Sequence, residues 1–311
     1  MIITGDDPAF IDFVKHHLQQ QFQMTDLGPL SYFLGIEFSS TTTGFQLSQQ
    51  RYTSDLLARA ALSDSRTVAT PMELHLQLQP DEGTPLADPT RYRHLVGSLV
   101  YLTITRPDVA YAVHVLSQFV SAPTSVHYAH LLRVLRYLRA TPGRGFFFSS
   151  SSSLQLSAYS DATWASDPSD RRSVTGFCLF LGSSLLTWKS KKQTGVSRSS
   201  TEAELRAMAS TAEEIIWLRW LLADFGVVSS SPTTLFCDNT SAIQLTLNPV
   251  KFSLSKHIGV DVFFLREQYS RRTLVPQYVP KEHQLADLFT KSQTSVQHDY
   301  LLSKLSVYDP P

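Results

Sequence analysis

The sequence predicts an α/β protein, and three observations lead to that prediction. Helical and strand-like periodicities alternate along the chain, a run of serines divides it, and 42% hydrophobic residues are enough to form buried cores. The serine run at 149–153 cannot bury apolar surface, so we place a linker there. We therefore expect two domains, at residues 1–150 and 151–311.

The first 150 residues predict a mixture of helices and short strands. After the end of a strand at 1–5, Asp6, Asp7 and Pro8 predict the start of a helix that reaches about Phe22. Gly5-Asp6-Asp7 is also similar to the metal-binding turn of some polymerases, but a helix cap accounts for these residues. The further expected elements are strands at 32–38 and 44–48, helices at 51–61, 92–103, 107–120 and 125–140, and a polar loop at 78–89.

Beyond the serine run the predicted elements follow a different order. Three strands come first, and helices then alternate with strands, which argues for a mixed five-stranded sheet with helices packed on it. The expected strands are 156–161, 176–181, 185–189, 233–238 and 274–279, and the expected helices are 200–225, 240–247, 256–271 and 285–291.

Composition limits the class of protein. No apolar run approaches the roughly 20 residues that span a bilayer, and the first residues lack the basic and apolar regions of a secretory signal. We therefore expect no membrane partner. Cys178 and Cys237 each lie in an apolar strand-like run, which favours buried free thiols over a disulfide or metal ligands.

Charge gives only a local argument for nucleic-acid binding. The formal net charge is zero. From residue 151 onward there are 16 Lys and Arg against 15 Asp and Glu, so basic residues are in excess once four candidate metal-binding acids are set aside.

Arg133, Arg136 and Arg139 share one face of a predicted helix. That face would contact phosphates or, as on many helices, solvent.

Acidic residues at the ends of predicted elements suggest a metal site. A hard cation such as Mg²⁺ takes oxygen ligands, and phosphodiester hydrolysis by two such ions needs several carboxylates that converge on ions about 4 Å apart. Asp161 ends the first strand after the linker and Asp238 ends the fourth, where open sheets place their ligands. Asp287 lies near the start of the last predicted helix.

Helical spacing selects one acid of the long helix at 200–225. Residues three and four apart form a stripe that must face the sheet, consisting of Glu204, Met208, Thr211, Ile215, Leu218 and Leu222. Glu202, Glu213 and Glu214 fall off this stripe and are expected to face solvent. A carboxylate on the inward face is costly unless a metal ion or a cation neutralises it.

Each of the other acids also has a structural explanation. Asp238 could cap the helix that follows it. Asp161 could form a turn with Ser160 and Thr163. Asp287 could be favoured in the first turn of its helix by the helix dipole. The order of the elements and the inward position of Glu204 favour a shared metal site over these separate explanations.

Recognisable motifs cover nearly the whole chain. In order they are DLGPLSYFLGIEF, TPM, YRHLVGSLVYLTITRPDVAYAV, LLRVLRYLRATPGRG, YSDATWASDPSDRRSVTGFCLFLG, LLTWKSKKQTGVSRSSTEAEL, CDNTSAI, SKHIGVDVFFLRE and HQLADLFTK. In this order they resemble the carboxy-terminal part of the Pol polyprotein of copia-type long-terminal-repeat retrotransposons. The resemblance implies the end of a reverse transcriptase (palm, thumb and connection) at 1–150 and a ribonuclease H (RNase H) domain at 151–311.

The resemblance assigns roles to individual acids. Asp161 in YSDATWA, Glu204 in TEAELRA, Asp238 in CDNTSA and Asp287 in HQLADLF match the four acids of the RNase H site. They would hold two Mg²⁺ ions, with Mn²⁺ as the alternative. His283 matches a histidine that assists product release in some RNases H, or is an ordinary surface histidine.

Two departures from the family pattern matter. The reverse transcriptase of this family has a Tyr-x-Asp-Asp turn immediately before the strand that here begins MIITG, and the chain starts after that turn. We therefore expect no DNA synthesis by this chain alone. Gly259 stands in KHIGVD where the family usually has an acidic residue, a change that could weaken the local structure or a substrate contact but does not touch the four acids.

The implied reaction is cleavage of the RNA strand in an RNA/DNA hybrid, and the implied partners are that hybrid and the rest of the Pol polyprotein. Choice of the RNA strand needs contacts to 2′-hydroxyls. The residues chemically suited to hold 2′-hydroxyls are Ser199, Ser200, Asn239 and Thr240, and those suited to hold phosphates are Lys189, Lys191, Lys192 and Arg198. The rival interpretation is a catalytically inactive relic that only folds or binds hybrid.

Overall fold

Two five-stranded sheets with helices packed on them make up the computed structural model, which describes residues 1–248 and 259–308. The predicted α/β class is confirmed, and so is the mixed five-stranded sheet in the second half of the chain. None of the helices in the described ranges is long and apolar enough to cross a membrane.

The first sheet is antiparallel. Its strands, in spatial order, are β1 (Tyr32–Phe33), β2 (Ile36–Thr41), β3 (Gly44–Ser48), β4 (Gly145–Ser149) and β10 (Val307–Tyr308). The single strand expected at 32–38 is a hairpin, because Leu34 and Gly35 adopt positive φ values of 48° and 78°. β4 and β10 were not predicted, and β10 returns from the far end of the chain to pair with β4. The proposed division at residue 150 stays a prediction.

The second sheet places two strand ends side by side. β5 (Leu156–Thr163), β6 (Val174–Leu181) and β7 (Ser184–Lys192) are antiparallel, while β8 (Thr233–Cys237) and β9 (Leu274–Tyr278) continue the sheet on the other side of β5 in parallel. The parallel register pairs Tyr159 with Phe236, two residues before Asp161 and Asp238. The carboxyl ends of β5 and β8 therefore meet at one edge of the sheet.

The helices largely follow the predicted spans. They are α1 (Pro8–Gln21), α2 (Gln50–Ala60), α3 (Pro89–Leu102), α4 (Ala110–Ser117), α5 (Ser125–Ala140), α6 (Ser200–Asp224), α7 (Thr240–Leu247), α8 (Gly259–Ser270) and α9 (Ser295–Lys304). The helix expected at 285–291 is a 3-10 helix at Leu285–Phe289, and α9 was not predicted. Residues 256–258 of the helix expected at 256–271 lie outside the described residues.

The first residues correct one expectation and support another. Residues 1–5 pair with no strand in the described ranges, so the expected strand is absent there. Asp7 caps α1, because its Oδ1 accepts hydrogen bonds from the amides of Ala9 at 3.0 Å and Phe10 at 3.1 Å, and Pro8 occupies the first turn. The helix cap therefore explains the Gly-Asp-Asp sequence.

The arginine row of α5 binds acids of this chain. Arg133 Nη1 lies 3.1 Å from Glu73 Oε1, and Arg136 Nη2 lies 2.6 Å from Asp64 Oδ2, which Arg139 also approaches. These ion pairs fasten the segment between α2 and α3 to α5. The sequence predicted that this row contacts either phosphates or solvent. Instead, its arginines form ion pairs with acidic residues of the same chain.

Among the described residues, apolar side chains form three large cores and one small cluster of alanines. One lies among α2, α3, α4 and α5, and another lies between the second sheet and α6, α7 and α8. The third joins β4, β6 and β10 to α9 and the 3-10 helix, so it packs the two sheets against each other. Its members are Ala110, Phe146, Cys178, Phe180, Leu185, Leu285, Leu288, Phe289, Leu301, Leu302, Leu305 and Val307.

A buried ionic network links the helical half of the chain to α9. Arg106 Nη2 lies 2.7 Å from Asp108 Oδ2, and both side chains are almost completely buried. Tyr137 Oη donates to Asp108 Oδ2 at 2.7 Å, and His298 Nε2 on α9 lies 2.9 Å from the same hydroxyl. Burial alone would raise the pKa of Asp108, but Arg106 holds it well below its usual range. The network therefore depends on both charges being present.

We expect Asp108→Ala to lower the free energy of unfolding by about 3–5 kcal/mol, because it leaves the buried Arg106 without its counter-ion. Chemical denaturation followed by circular dichroism measures this change. Asp64→Ala is the matched control, since Asp64 also binds arginines but is partly exposed, and its loss should be smaller. Equal losses in the two variants would contradict the dependence on burial.

Candidate metal centre and nucleic-acid interface

Asp161 lies near the end of β5, opposite a residue without a side chain. The antiparallel register pairs it with Gly176 on β6. A Cβ atom at Gly176 would stand only 2.6 Å from Thr290 Cγ2 and 2.9 Å from the carbonyl oxygen of Ala286. Gly176 therefore allows the 3-10 helix to pack directly on the sheet, which brings Asp287 up to Asp161.

A lysine lies between these two acids. Lys291 Nζ is 2.7 Å from Asp287 Oδ1 and 3.7 Å from Asp161 Oδ2. Thr290 Oγ1 donates a hydrogen bond to Asp161 Oδ2. Neither Thr290 nor Lys291 was singled out from the sequence. The available signal was the spacing of four residues between Asp287 and Lys291, at which opposite charges meet on a helix.

Glu204 reaches the same edge of the sheet from α6. Ala162 of β5 packs against Ala203 and Ala207, and these small side chains let the helix approach the strand closely. The Ala162 backbone also lies close enough to Glu204 to lower the pKa of its carboxyl, against the larger effect of burial. Glu204 is 5% exposed, and the stripe that continues from it along α6 is buried from Met208 to Leu218, as the helical spacing predicted.

Asp238 follows the end of β8 beside Glu204. One ligand atom each of Glu204, Cys237 and Asp238 lie within 4.8 Å of one another. The side chain that caps α7 is Asn239, whose Oδ1 accepts from the Ala242 amide at 3.0 Å, so the capping explanation for Asp238 is wrong. Asp161 lies within β5 itself, so the turn proposed for it is also wrong.

Both cysteines are free and buried, as predicted. Cys237 Sγ lies 3.8 Å from Glu204 Oε2. Burial, and then the nearby Glu204, raise the pKa of the Cys237 thiol well above its usual range, so the sulfur keeps its proton. A protonated thiol is a poor ligand for a hard cation, so the oxygen atoms are the better donors here.

Crowding of carboxylates disfavours their negative charge. Burial, then Asp161, and then Asp238 raise the pKa of Glu204 well above its usual range. Burial and then Asp161 also raise the pKa of Asp238, and the same two causes raise the pKa of Asp287 to about 7 against the opposing effect of Lys291. Bound protons, the Lys291 ammonium or a bound cation can each offset this repulsion, and an all-oxygen donor set is of the kind that Mg²⁺ or Mn²⁺ binds.

The expectation that Glu202 faces solvent is wrong, since its exposure is only 4%. Its Oε2 accepts a hydrogen bond from the Arg198 amide at 2.9 Å, and its Oε1 lies 2.8 Å from Arg206 Nη2. Ser199 Oγ in turn accepts from the Glu202 amide at 3.1 Å. The pattern Ser-x-x-Glu at 199–202 is the signature of such a capping arrangement and was the missed signal. Glu213 is exposed, as expected.

The candidate phosphate-binding lysines differ in their surroundings. Lys189 and Lys191 are exposed on β7 and line a groove of about 630 Å³ between that strand and α6. Lys192 lines the same groove, but its Nζ binds Asp167 and lies 2.9 Å from Asp170. Lys192 therefore holds the loop after β5 and is the least available of the three.

The remaining candidates lie around the starts of α6 and α7. Arg198 and Ser200 are exposed before and at the start of α6, and Thr240 is exposed at the start of α7. Ser199 and Asn239 cap these two helices.

His283 is exposed, and its Nδ1 lies 2.7 Å from Tyr300 Oη of α9. Both explanations of His283 stay open.

Comparisons with known proteins give relatives over the whole chain. Residues 1–74 match the reverse transcriptase (RNA-dependent DNA polymerase) family model. The retrovirus-related Pol polyprotein from transposon RE1 of Arabidopsis thaliana is 44% identical over 311 residues, which are all of this chain and 21% of that polyprotein. An uncharacterized mitochondrial protein of the same plant is 41% identical over 217 residues, which are 70% of this chain and 90% of that protein.

Among solved structures, the N-terminal RNase H domain of a Mycobacterium tuberculosis protein matches with a TM-score of 0.34 and 10% identity, covering 49% of this chain and 98% of that one. The chain spans about a fifth of the length of its Pol polyprotein relatives. Identity of 44% extends over its full length, and the motifs follow the family order. The chain therefore belongs to the Pol polyprotein family of copia-type retrotransposons.

Proposed function

We propose that the second sheet and its helices form an RNase H that cleaves the RNA strand of RNA/DNA hybrids with two metal ions. The observation that carries this proposal is the convergence of four acids from separate elements, Asp161, Glu204, Asp238 and Asp287, at one edge of that sheet. Glu204 and Asp238 lie within ligand-sharing distance of each other, Asp161 and Asp287 share Lys291, and the charge of Asp161 raises the pKa of both Glu204 and Asp287. Their mutual repulsion is costly in a folded protein unless cations bind there.

These four side chains would hold two Mg²⁺ ions, with Mn²⁺ as the alternative. When bound, the ions would activate the attacking water and stabilise the leaving 3′-oxygen of the RNA. The protein contributes the placement of the ligands. Thr290 orients Asp161 by donating a hydrogen bond to it, and the close packing of Ala162 against Ala203 and Ala207 places Glu204 beside β5.

Choice of the RNA strand would rest on donors beside the acids. Ser199 and Asn239 each use a side-chain oxygen to cap a helix, which leaves the hydroxyl proton of Ser199 and the amide protons of Asn239 free to donate. Ser200 and Thr240 are exposed next to them. In the wide minor groove of a hybrid such donors can reach 2′-hydroxyls, which the DNA strand lacks.

A second candidate is the inactive relic, and one observation favours it. Lys291 already supplies a positive charge to Asp161 and Asp287, so the acids are partly neutralised without metal. In the relic the ion pairs are purely structural, and binding of hybrid is the most that remains. The absence of DNA synthesis by this chain stays a prediction in both cases.

We expect Asp161→Asn, Glu204→Gln and Asp238→Asn each to reduce Mg²⁺-dependent cleavage of the RNA strand by at least about 100-fold. Each change removes a negative charge from the ligand set while keeping the shape of the side chain. The measurement is gel analysis of a hybrid in which only the RNA strand is labelled. The purified wild-type chain must cleave that strand for the enzyme interpretation to stand.

Glu213→Gln is the matched control, because Glu213 lies on the exposed side of the same helix as Glu204 and should keep activity. Glu202→Gln is not suitable as a control, since Glu202 caps α6 and binds Arg206. Loss of activity in Glu213→Gln comparable to that in Glu204→Gln would show that the ligand assignment on α6 is wrong.

We expect the stabilisation by Mg²⁺ to increase with pH. The pKa of Asp287 is raised to about 7, so the folded, metal-free protein holds a proton that the unfolded chain has released, and its stability falls as pH rises from about 4 to about 7. Mg²⁺ binds the ionised carboxylates and compensates for this loss. The measurement is the melting temperature with and without Mg²⁺ at about pH 5.5 and about pH 8, below and above that pKa.

Asp238→Asn serves as the control for this pH dependence. Asp238 is half-buried and lies within reach of Asp161, so without metal the variant should melt slightly higher, on the order of 2 °C, and should lose the gain from Mg²⁺. A wild-type chain that gains no thermal stability from Mg²⁺ at either pH would support the relic.

We expect hybrid affinity to fall steeply with salt, because phosphate contacts release counter-ions. In Lys189→Ala/Lys191→Ala the slope of log affinity against log salt should decrease by about 2, one for each lost phosphate contact. Fluorescence anisotropy with a labelled hybrid at several salt concentrations measures the slope. Lys304→Ala, at the exposed end of α9, is the control. An unchanged slope in the double variant would exclude these two lysines from the interface.

A further inference from the structure

Trp164 is a large aromatic residue left half-exposed directly after the strand that carries Asp161. It follows β5 three positions after Asp161, and its exposure is 49%. Ala162, two residues before Trp164, packs against Ala203 of α6. Ala203 directly precedes Glu204. Trp164 belongs to none of the apolar cores formed by the described residues. Its size is therefore not explained by packing in the fold.

The indole ring is held in place although it is exposed. Its Nε1 donates a hydrogen bond to the carbonyl oxygen of Ser197 at 2.9 Å. Ser197 Oγ donates to Gln193 Oε1 at 2.9 Å, and Gln193 Nε2 donates to the Ala203 carbonyl at 3.0 Å. This chain of hydrogen bonds ties the ring to the first turn of α6, next to Glu204. A ring fixed in this way loses little further freedom when it binds a ligand.

The backbone after Trp164 is constrained as well. Ala165 adopts a positive φ of 49°, which non-glycine residues rarely do, and its amide donates to Ser173 Oγ at 3.1 Å. A strained conformation of this kind persists only where the surroundings enforce it, and it is common in functional loops. Here it turns the chain immediately after the ring.

The neighbours of Trp164 suit a nucleic-acid strand. Val196, the residue before Ser197, is 51% exposed, and Arg198, the residue after it, is exposed. Both residues flank the carbonyl group that the indole ring binds, so an exposed apolar side chain and an exposed cation lie on either side of that group along the chain. Sugars and bases offer apolar faces and edges, and phosphates bind arginine.

We propose that Trp164 is a substrate-binding residue whose exposed ring face packs against the sugar and base edges of the hybrid strand that lies across the four acids. The inference rests on the proposed function, since it takes an RNA/DNA hybrid as the ligand. The minor groove of such a hybrid is wide and shallow, so a flat ring at the protein surface can reach into it. Trp164 would thereby set where the strand lies relative to Asp161 and Glu204.

The test is hybrid binding by the full chain, measured by anisotropy with a labelled RNA/DNA hybrid in Ca²⁺ in place of Mg²⁺, with a gel to verify that the RNA stays intact. Trp164→Ala should weaken the affinity about tenfold, within the range found when an aromatic side chain under a base is removed. Trp164→Phe should restore most of it, because the ring face remains. Trp220→Ala is the control, since this exposed tryptophan lies sixteen residues, roughly 24 Å, beyond Glu204 on α6.

Unchanged affinity in Trp164→Ala would overturn the inference and leave the nuclease proposal standing. Wild-type chain that binds hybrid but fails to cleave it in Mg²⁺ would refute the nuclease, while the binding comparison would still decide the role of Trp164. The two failures are therefore distinguishable.

A second measurement covers the case in which Trp164→Ala does not fold. In the double variant Trp217→Phe/Trp220→Phe, the remaining tryptophan fluorescence comes from Trp164 and the half-buried Trp188. Saturating hybrid should shield the exposed indole and reduce its quenching by acrylamide at least about twofold, as expected for a stacked ring. Quenching that is the same with and without hybrid would overturn the inference.

Discussion

Repulsion among four carboxylates is the constraint on which the second half of this molecule depends. Placing Glu204 and Asp238 close to Asp161 and away from water works against folding, because burial and then the charge of Asp161 raise the pKa of both side chains. The fold nevertheless brings them together through several independent features. Gly176 removes a side chain so that the 3-10 helix can approach, and a small patch of alanines lets α6 reach β5. Features that converge on an unfavourable arrangement point to a function rather than to stability.

Much of this arrangement could be predicted because it depends on local periodicity. The end of β5 and the end of β8 follow from strand length and from parallel pairing, and those two facts place Asp161 and Asp238 side by side. The inward position of Glu204 follows from the helical repeat alone. The family resemblance named the same acids independently. Where short-range pattern and topology agree in this way, one sequence is enough to predict the shape of a site.

The expectations that were wrong involve interactions that compete with periodicity. Glu202 falls off the apolar stripe of α6, yet it is buried, because a capping hydrogen bond to the Arg198 amide and an ion pair with Arg206 satisfy its charge. The arginines of α5 bind acids some 60 or more positions away along the chain, a pairing that no local pattern reveals. β10 has only two residues, which are too few to show the alternation of apolar and polar residues that predicts a strand. It forms by pairing with the edge of β4.

The same long-range contacts decide how firmly the segment that carries Asp287 is held. Before that segment, the buried Gln284 donates to the carbonyl oxygen of Ser160 at 2.9 Å and so fastens it to β5. After it, α9 inserts His298 into the buried network around Asp108, and β10 joins the first sheet. The position of Asp287 is therefore determined partly by residues far outside the second sheet. Contacts across the proposed boundary at residue 150 therefore help to hold the candidate site in place.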